Sequence, residues 1–217
     1  HVEMADLVLE GANLGIYFNN IQPTPGNMYF RNLLIRDCGF SGINMNQSSS
    51  NTLERVVVTR GSGDGINVSG SDLYLLNSII WSNGGDGVAA SGGGLRISNS
   101  VLHAYGNVTN GALALNQTLL LADYNNFFVQ GGASYAVLSG EPIAGLPQFT
   151  QRTTQNVHSV SVDPLFNDAA ADDYHPRSPA GRFDPVSGQF VTTDPDFSWM
   201  IDTGNPADTF DLETDPN

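Results

Sequence analysis

The sequence contains no lysine: all eight basic residues are arginine, set against 22 acidic ones, for a net charge of −14 over 217 residues. Such a surplus of carboxylates repels phosphate backbones and anionic bilayers, which excludes nucleic acid and membrane insertion as partners. No apolar run reaches the roughly 18 residues that a membrane-crossing helix needs. The single cysteine, Cys38, cannot form an intramolecular disulfide framework; following Leu33-Leu34-Ile35, it reads as a small buried hydrophobe. No charged-then-apolar leader opens the chain at His1. The stretch from Val2 to Leu9 reads as a strand already under way, so the expectation is a piece of something longer.

What the chain has is glycine, asparagine and serine at regular intervals, 24 glycines in all, with short apolar runs between them. A cassette returns every 22 to 27 residues: Gly15-Ile16-Tyr17-Phe18, Gly42-Ile43-Asn44-Met45, Gly65-Ile66-Asn67-Val68, Gly87-Val88-Ala89-Ala90 and Gly111-Ala112-Leu113-Ala114. Each of the later four is preceded by a second apolar run, at 30–38, 53–59, 73–81 and 95–103, and a further such run follows at 119–129. Repetition at this period, with short strands and no helix between them, specifies an all-β solenoid, a parallel β-helix of five to six coils over residues 1–140. In such a coil, residues of one parity point into the stack and the others to solvent. Asn77 and Asn99 hold the same place in successive coils, which predicts a structural asparagine ladder with a spacing of about 4.8 Å.

The composition changes near Gly131. From Pro142 onward prolines recur with aspartates beside most of them, and proline removes a ladder donor, so residues 141–217 cannot continue the regular sheet. This tail is predicted to wrap or cap the solenoid as part of the same domain, with a short helix over Leu146 to Gln155 opened by Pro147.

The coils resemble the right-handed parallel β-helix repeat proteins, the broad superfamily that includes pectate lyases, polygalacturonases and chondroitinase- or alginate-lyase-like enzymes. The tail motifs Ala122-Asp123-Tyr124-Asn125-Asn126-Phe127-Phe128, His158-Ser159-Val160-Ser161-Val162-Asp163-Pro164-Leu165-Phe166, Asp173-Tyr174-His175-Pro176-Arg177-Ser178-Pro179-Ala180 and Ile201-Asp202-Thr203-Gly204-Asn205-Pro206-Ala207 resemble the closing signature of large secreted bacterial β-helix proteins. A departure is the insertion from Gly181 to Met200. The resemblance implies a right-handed coil and a secreted or cell-surface setting.

Candidate functional residues fall into distinct chemistries. Gly63-Asp64-Gly65 and Gly85-Asp86-Gly87 recur one coil apart, so Asp64 and Asp86 would stack their carboxylates, an arrangement that raises one pKa and suits an inverting glycosidase. The Gly-His-Gly and Arg-Ile-Lys landmarks of polygalacturonases are missing, and Asp before Gly is also an ordinary turn signature. A lyase without lysine would need arginine or a metal, which singles out Arg36, Arg60 and Arg96. His103, His158 and His175 are scattered and no Gly-x-Ser-x-Gly elbow accompanies them. Asp163, Asp168, Asp172 and Asp173, with further acidic residues through Asp215, could supply oxygen ligands to one structural calcium; no other cofactor is implied. Tyr17, Tyr29, Tyr74, Trp81 and Tyr105 could stack on sugar rings where they face outward. Sequons at Asn46, Asn67, Asn107 and Asn116 point to exposed turns. Together these features predict a non-catalytic extracellular β-helix segment of a larger protein, serving as scaffold, adhesin or carbohydrate-contacting surface. Its partners would be polysaccharide or other domains of the same parent. The alternative is a carbohydrate-active enzyme, lyase or inverting glycosidase, acting on an acidic polysaccharide.

Overall fold

The computed structural model describes residues 2–19, 28–48 and 50–208. The chain divides into two compact units, residues 1–162 and 163–217. The first is a parallel β-helix of six coils. The opening coils hold β1 (Val2–Glu10) with β2 (Ile16–Asn19), β3 (Met28–Arg36) with β4 (Ile43–Asn46), and β5 (Asn51–Thr59) with β6 (Ile66–Ser69). From the fourth coil the long strand is split in two. That coil has β7 (Leu73–Leu76), β8 (Ile79–Trp81) and β9 (Val88–Ser91), and the fifth β10 (Gly94–Ser98), β11 (Val101–Tyr105) and β12 (Gly111–Asn116). The sixth has β13 (Leu119–Asp123), β14 (Asn126–Gln130) and β15 (Ser134–Leu138).

Three corners separate the strand faces, and each is marked by a column of residues in the left-handed backbone region. Asp6, Asn32, Arg55, Asn77, Asn99 and Tyr124 form the first column, at φ between 50° and 57°. Asp37, Arg60 and Ser82 belong to the second, and Gln47, Gly70, Gly92, Gln117 and Ser139 to the third. Left-handed geometry costs a non-glycine residue roughly 1–2 kcal/mol, so asparagine at 77 and 99 is chosen for backbone tolerance as much as for its amide. The two asparagines do share one corner in consecutive coils, as predicted. The buried polar thread there, however, runs through the following residue. Val56 N–H donates to Ser78 Oγ (3.1 Å), Ser78 N–H to Ser100 Oγ (3.2 Å), Ser100 N–H to Asn125 Oδ1 (3.0 Å) and Asn125 N–H to Ser159 Oγ (2.9 Å). A side chain inside the turn satisfies a backbone donor of the neighbouring coil that would otherwise be buried without a partner.

Parity along the strands builds the core. In β3, Phe30, Leu33 and Ile35 are buried while Tyr29, Arg31 and Arg36 are only half-buried on the outer side. Successive coils repeat this, so that Ile35, Val58, Ile80, Leu102 and Phe127 stack in one interior row. Cys38 is buried as expected. The cassette glycines are a packing requirement. An added Cβ at Gly42 would sit 2.2 Å from Val58 Cγ1 and 2.9 Å from the Gly65 carbonyl oxygen, and one at Gly65 would meet Ile80 Cγ2 at 2.5 Å. One cassette differs from the expected register: Val88 pairs with Leu113, not with Ala112, so Ala112 takes the glycine place and Gly111 is one residue early. The exposed turn at 105–109 lengthens this circuit, which runs 25 residues from Val88 to Leu113 against 22 from Ile66 to Val88.

The organisation changes at residue 141, where β16 (Glu141–Ile143) turns back antiparallel to β15. It leads into α1 (Leu146–Thr153), which has Pro147 in its first turn and ends two residues before the predicted Gln155 because Thr154 turns left-handed at φ 57°. Ile143 and Phe149 are fully buried in the coil core, and Phe149 meets Phe127 edge-on at 5.8 Å. Residues 156–162 then begin a further rung: Asn156 N–H donates to the Ala122 carbonyl and Phe127 N–H to the Val160 carbonyl. The coil unit thus extends past residue 140 to 162.

The second unit holds two short hairpins, β17 (Phe166–Asp168) with β18 (Asp173–Pro176), and β19 (Arg182–Asp184) with β20 (Gln189–Val191). Phe166 and Tyr174 pack edge-on at 5.3 Å. Arg182, nearly fully buried, donates from Nε to Asp194 Oδ2 (2.9 Å) and from Nη2 to Asp194 Oδ1 (3.2 Å). The acidic residues beyond Asp208 lie outside the described residues.

Candidate functional site

The outer face of the sheet formed by β2, β4, β6, β9, β12 and β15 carries the most ordered array of sugar-compatible groups. Its parallel register places Tyr17, Asn44, Asn67, Ala89, Ala114 and Val137 in one outward column. A second column runs Asn19, Asn46, Ser69, Ser91 and Asn116. Strand parity dictates both: the inward neighbours Ile43, Met45, Ile66, Val68 and Val88 are buried apolar residues. The amides support one another, Asn46 Nδ2 donating to Asn19 Oδ1 at 3.0 Å. Where the first column narrows to Ala89 and Ala114, the surface sinks into a hollow of about 220 Å³ bordered by Asn67, Ser91, Asn116 and Val137. None of these strands contains lysine, arginine or histidine. Rungs about 4.8 Å apart therefore present hydrogen-bonding amides and hydroxyls beside one exposed aromatic, Tyr17.

Asp64 and Asp86 lie on the leading edge of this same sheet, one coil apart, as their spacing predicts. Their carboxylates are turned to the backbone. Asp86 N–H donates to Asp64 Oδ1 (2.9 Å), Asn67 Nδ2 to Asp64 Oδ2 (3.0 Å), and Gly111 N–H to Asp86 Oδ1 (2.6 Å). Each carboxylate thus ties its own coil to the next. Burial pushes the Asp86 carboxyl above its usual range, opposed by the Gly111 N–H and reinforced by the Asp64 charge.

The other predicted groups are dispersed. Arg36 and Arg60 are held by carboxylates, Arg36 Nη2 to Glu10 Oε2 at 2.6 Å and Arg60 Nε to Asp37 Oδ1 at 3.0 Å. His158 Nδ1 lies 2.7 Å from Asp123 Oδ2 with Tyr124 stacked on its ring, while His175 Nδ1 lies 2.7 Å from Asp173 Oδ1. His103 is buried between Trp81 and Phe128. The four aspartates assigned to calcium are not brought together: no cluster of three potential metal ligands occurs among the described residues. Asp163 accepts from Leu165 N–H, Asp168 from Ala171 N–H, Asp172 occupies a left-handed turn, and Asp173 accepts from Asn167 Nδ2 and pairs with Arg182. Asp163 and Asp168 accept from backbone donors two and three residues on, as aspartates in tight turns do.

Of the predicted stacking aromatics, Tyr17, Tyr74 and Tyr105 are exposed. Tyr29 is half-buried and donates to Glu54, and Trp81 is committed to its stack. The asparagine and serine columns were missed as a unit by sequence reasoning. Their signal was present in the matching fourth position of each cassette strand, Asn19, Asn46, Ser69 and Ser91. No helix among the described residues is long and apolar enough to cross a membrane. A family model for the right handed beta helix region matches residues 4–128. Comparison with curated proteins and with solved structures finds no match.

Proposed function

The chain belongs to the right-handed β-helix family, and from that premise we propose that it is a non-catalytic extracellular scaffold whose amide-lined sheet face contacts carbohydrate. The observation that carries this reading is the pair of outward columns from Tyr17 to Val137 and from Asn19 to Asn116, in register across successive rungs. Amides and hydroxyls held at fixed intervals by a rigid sheet donate to and accept from sugar hydroxyls with little ordering cost. The carboxylates best placed for acid/base work, Asp64 and Asp86, are spent on backbone donors of the adjacent coil. Binding to a panel of polysaccharides tests the proposal: retention of at least one glycan by the native chain, weakened by Asn67→Ala and Asn116→Ala without loss of fold, supports it. Absence of binding across the panel overturns it.

One observation favours a hydrolase as the second reading. The raised Asp86 carboxyl is what a general acid requires. Release of reducing ends from a polysaccharide, abolished by Asp86→Asn with the melting temperature retained, would replace the scaffold reading with that of an inverting glycosidase.

A further inference from the structure

Of the eight arginines, seven are engaged by a carboxylate: Arg31 with Glu3, Arg36 with Glu10, Arg55 with Glu54, Arg60 with Asp37, Arg152 with Glu141, Arg177 with Asp196 and Arg182 with Asp194. Arg96 has no such partner among the described residues. It projects from the face opposite in parity to the buried Leu95 and Ile97, and it is exposed. Arg96 stands in register with Tyr74 on one side and Leu121 on the other. Diagonally across from it is Asp72, which accepts from Gly94 N–H (2.7 Å). Because position 94 has no side chain, a hollow of about 180 Å³ opens among Asp72, Tyr74, Arg96, Leu119 and Leu121. Leu119 is 69% exposed, Leu121 50% and Tyr74 38%. A large apolar group left in water three times over in one patch marks an interaction surface, and Tyr and Arg are the residue types that dominate such contacts.

We propose that this patch is the contact of a two-fold dimer of the chain. The occupant follows from the charges: the patch holds one cation without a carboxylate and one exposed carboxylate on the opposite corner of the same quartet. A surface carrying both signs diagonally is self-complementary. Isologous pairing requires that if residue i meets residue j, then j meets i. A two-fold axis lying in the interface along the Tyr74–Gly94 diagonal sets Arg96 of each copy opposite Asp72 of the other. It brings the two Tyr74 rings together on the axis and covers Leu119 and Leu121. A partner of uniform negative charge would satisfy Arg96 and confront Asp72; a second copy satisfies both. The overall charge of −14 opposes approach at long range, so the contact is weak at low ionic strength and tightens as salt screens that repulsion.

Sedimentation equilibrium of the whole chain at near-physiological salt, over a wide concentration range, tests the proposal. The expected result is a reversible monomer–dimer equilibrium whose dissociation constant rises about tenfold or more in Arg96→Asp and in Asp72→Arg. It should return toward the native value when the two substitutions are combined, with thermal melts verifying that all variants fold. Leu119→Ser, which leaves both charges in place, should weaken the dimer independently. A native chain that stays monomeric throughout overturns the proposal. So does a dimer indifferent to Arg96→Asp, or a charge-swapped pair with no recovery.

Discussion

The coil unit and the unit that follows residue 162 solve the same problem with different materials. In the coils, successive rungs repeat the backbone ladder and the apolar row of the rung below, and a thread of polar side chains links neighbouring rungs at intervals of 22 to 28 residues. In the second unit, the described strands are short, the buried large side chains are few, and cohesion converges on Arg182 with Asp194 and Asp173. Redundancy protects the first against local damage, whereas the second has one centre whose loss affects both hairpins.

The sharpest way to break this contrast is at that centre. Removing one member of a buried ion pair leaves an uncompensated charge, and Arg182→Ala is expected to destabilise the second unit by about 3 kcal/mol. Hydrogen exchange should show lost protection over residues 163–208 with the coils unchanged; equal loss in both units would remove the distinction.

A comparable blow to the coils requires steric conflict. For Gly42→Ala, whose methyl has no room beside Val58 and the Gly65 carbonyl, a cost of about 2 kcal/mol is expected. Circular dichroism melts give the measurement, and an unchanged midpoint would mean that neighbouring rungs yield more easily than their packing implies. A smaller loss, roughly 1–2 kcal/mol, is expected for Ser100→Ala, which strips Ser78 N–H of its acceptor inside the turn. Asn99→Gly at the adjacent corner should be neutral, since it keeps the left-handed geometry. If instead Asn99→Gly costs as much as Ser100→Ala, the asparagine amide and not the backbone is what matters there.

The smallest effect concerns pH. His103 accepts from Ser82 N–H through Nδ1 (3.0 Å), which leaves its proton on Nε2 toward Gln130. Burial lowers its pKa, with the Gln130 contact opposing, so the folded state disfavours the imidazolium that the unfolded chain accepts. Stability from this group is therefore complete above the ordinary imidazole value of 6.5 and declines as pH falls below it. Urea unfolding between pH 7 and pH 5 should show that decline in the native chain, with a shallower slope in His103→Asn. Equal slopes would place the acid sensitivity elsewhere.

The coil architecture was legible because each circuit writes itself in the sequence with glycine, an apolar pair and a polar turn. The helix at 146 was legible from Pro147. The shift at Gly111 was not, since Gly111-Ala112-Leu113 and Gly87-Val88-Ala89 read alike until pairing decides which residue sits opposite Val88. The position of Asp64 and Asp86 on one sheet edge was readable from their spacing; the direction of their carboxylates depends on amides of the next coil, which no local pattern reveals. The surroundings of the aspartates expected to hold calcium were illegible for a related reason. Closeness in sequence among Asp163, Asp168, Asp172 and Asp173 says nothing of the turns that direct the Asp163, Asp168 and Asp173 carboxylates to their own neighbours.

The thread through Val56, Ser78, Ser100 and Asn125 also measures the chain. Its steps are 22, 22 and 25 residues, so a minimal circuit of 22 residues recurs, and the 25-residue one carries its surplus in the exposed turn at 105–109. A cut-and-paste grammar follows. Excising one standard circuit, by joining residue 56 to residue 79, would return each strand to an equivalent berth with its glycine, its apolar row and its left-handed corner still aligned. Removing a lesser number from within the strands would throw the later rungs out of phase, whereas the turn at 105–109 already takes up a surplus without doing so. Such a molecule can be shortened or lengthened by whole verses, or in its pauses, but hardly within a line.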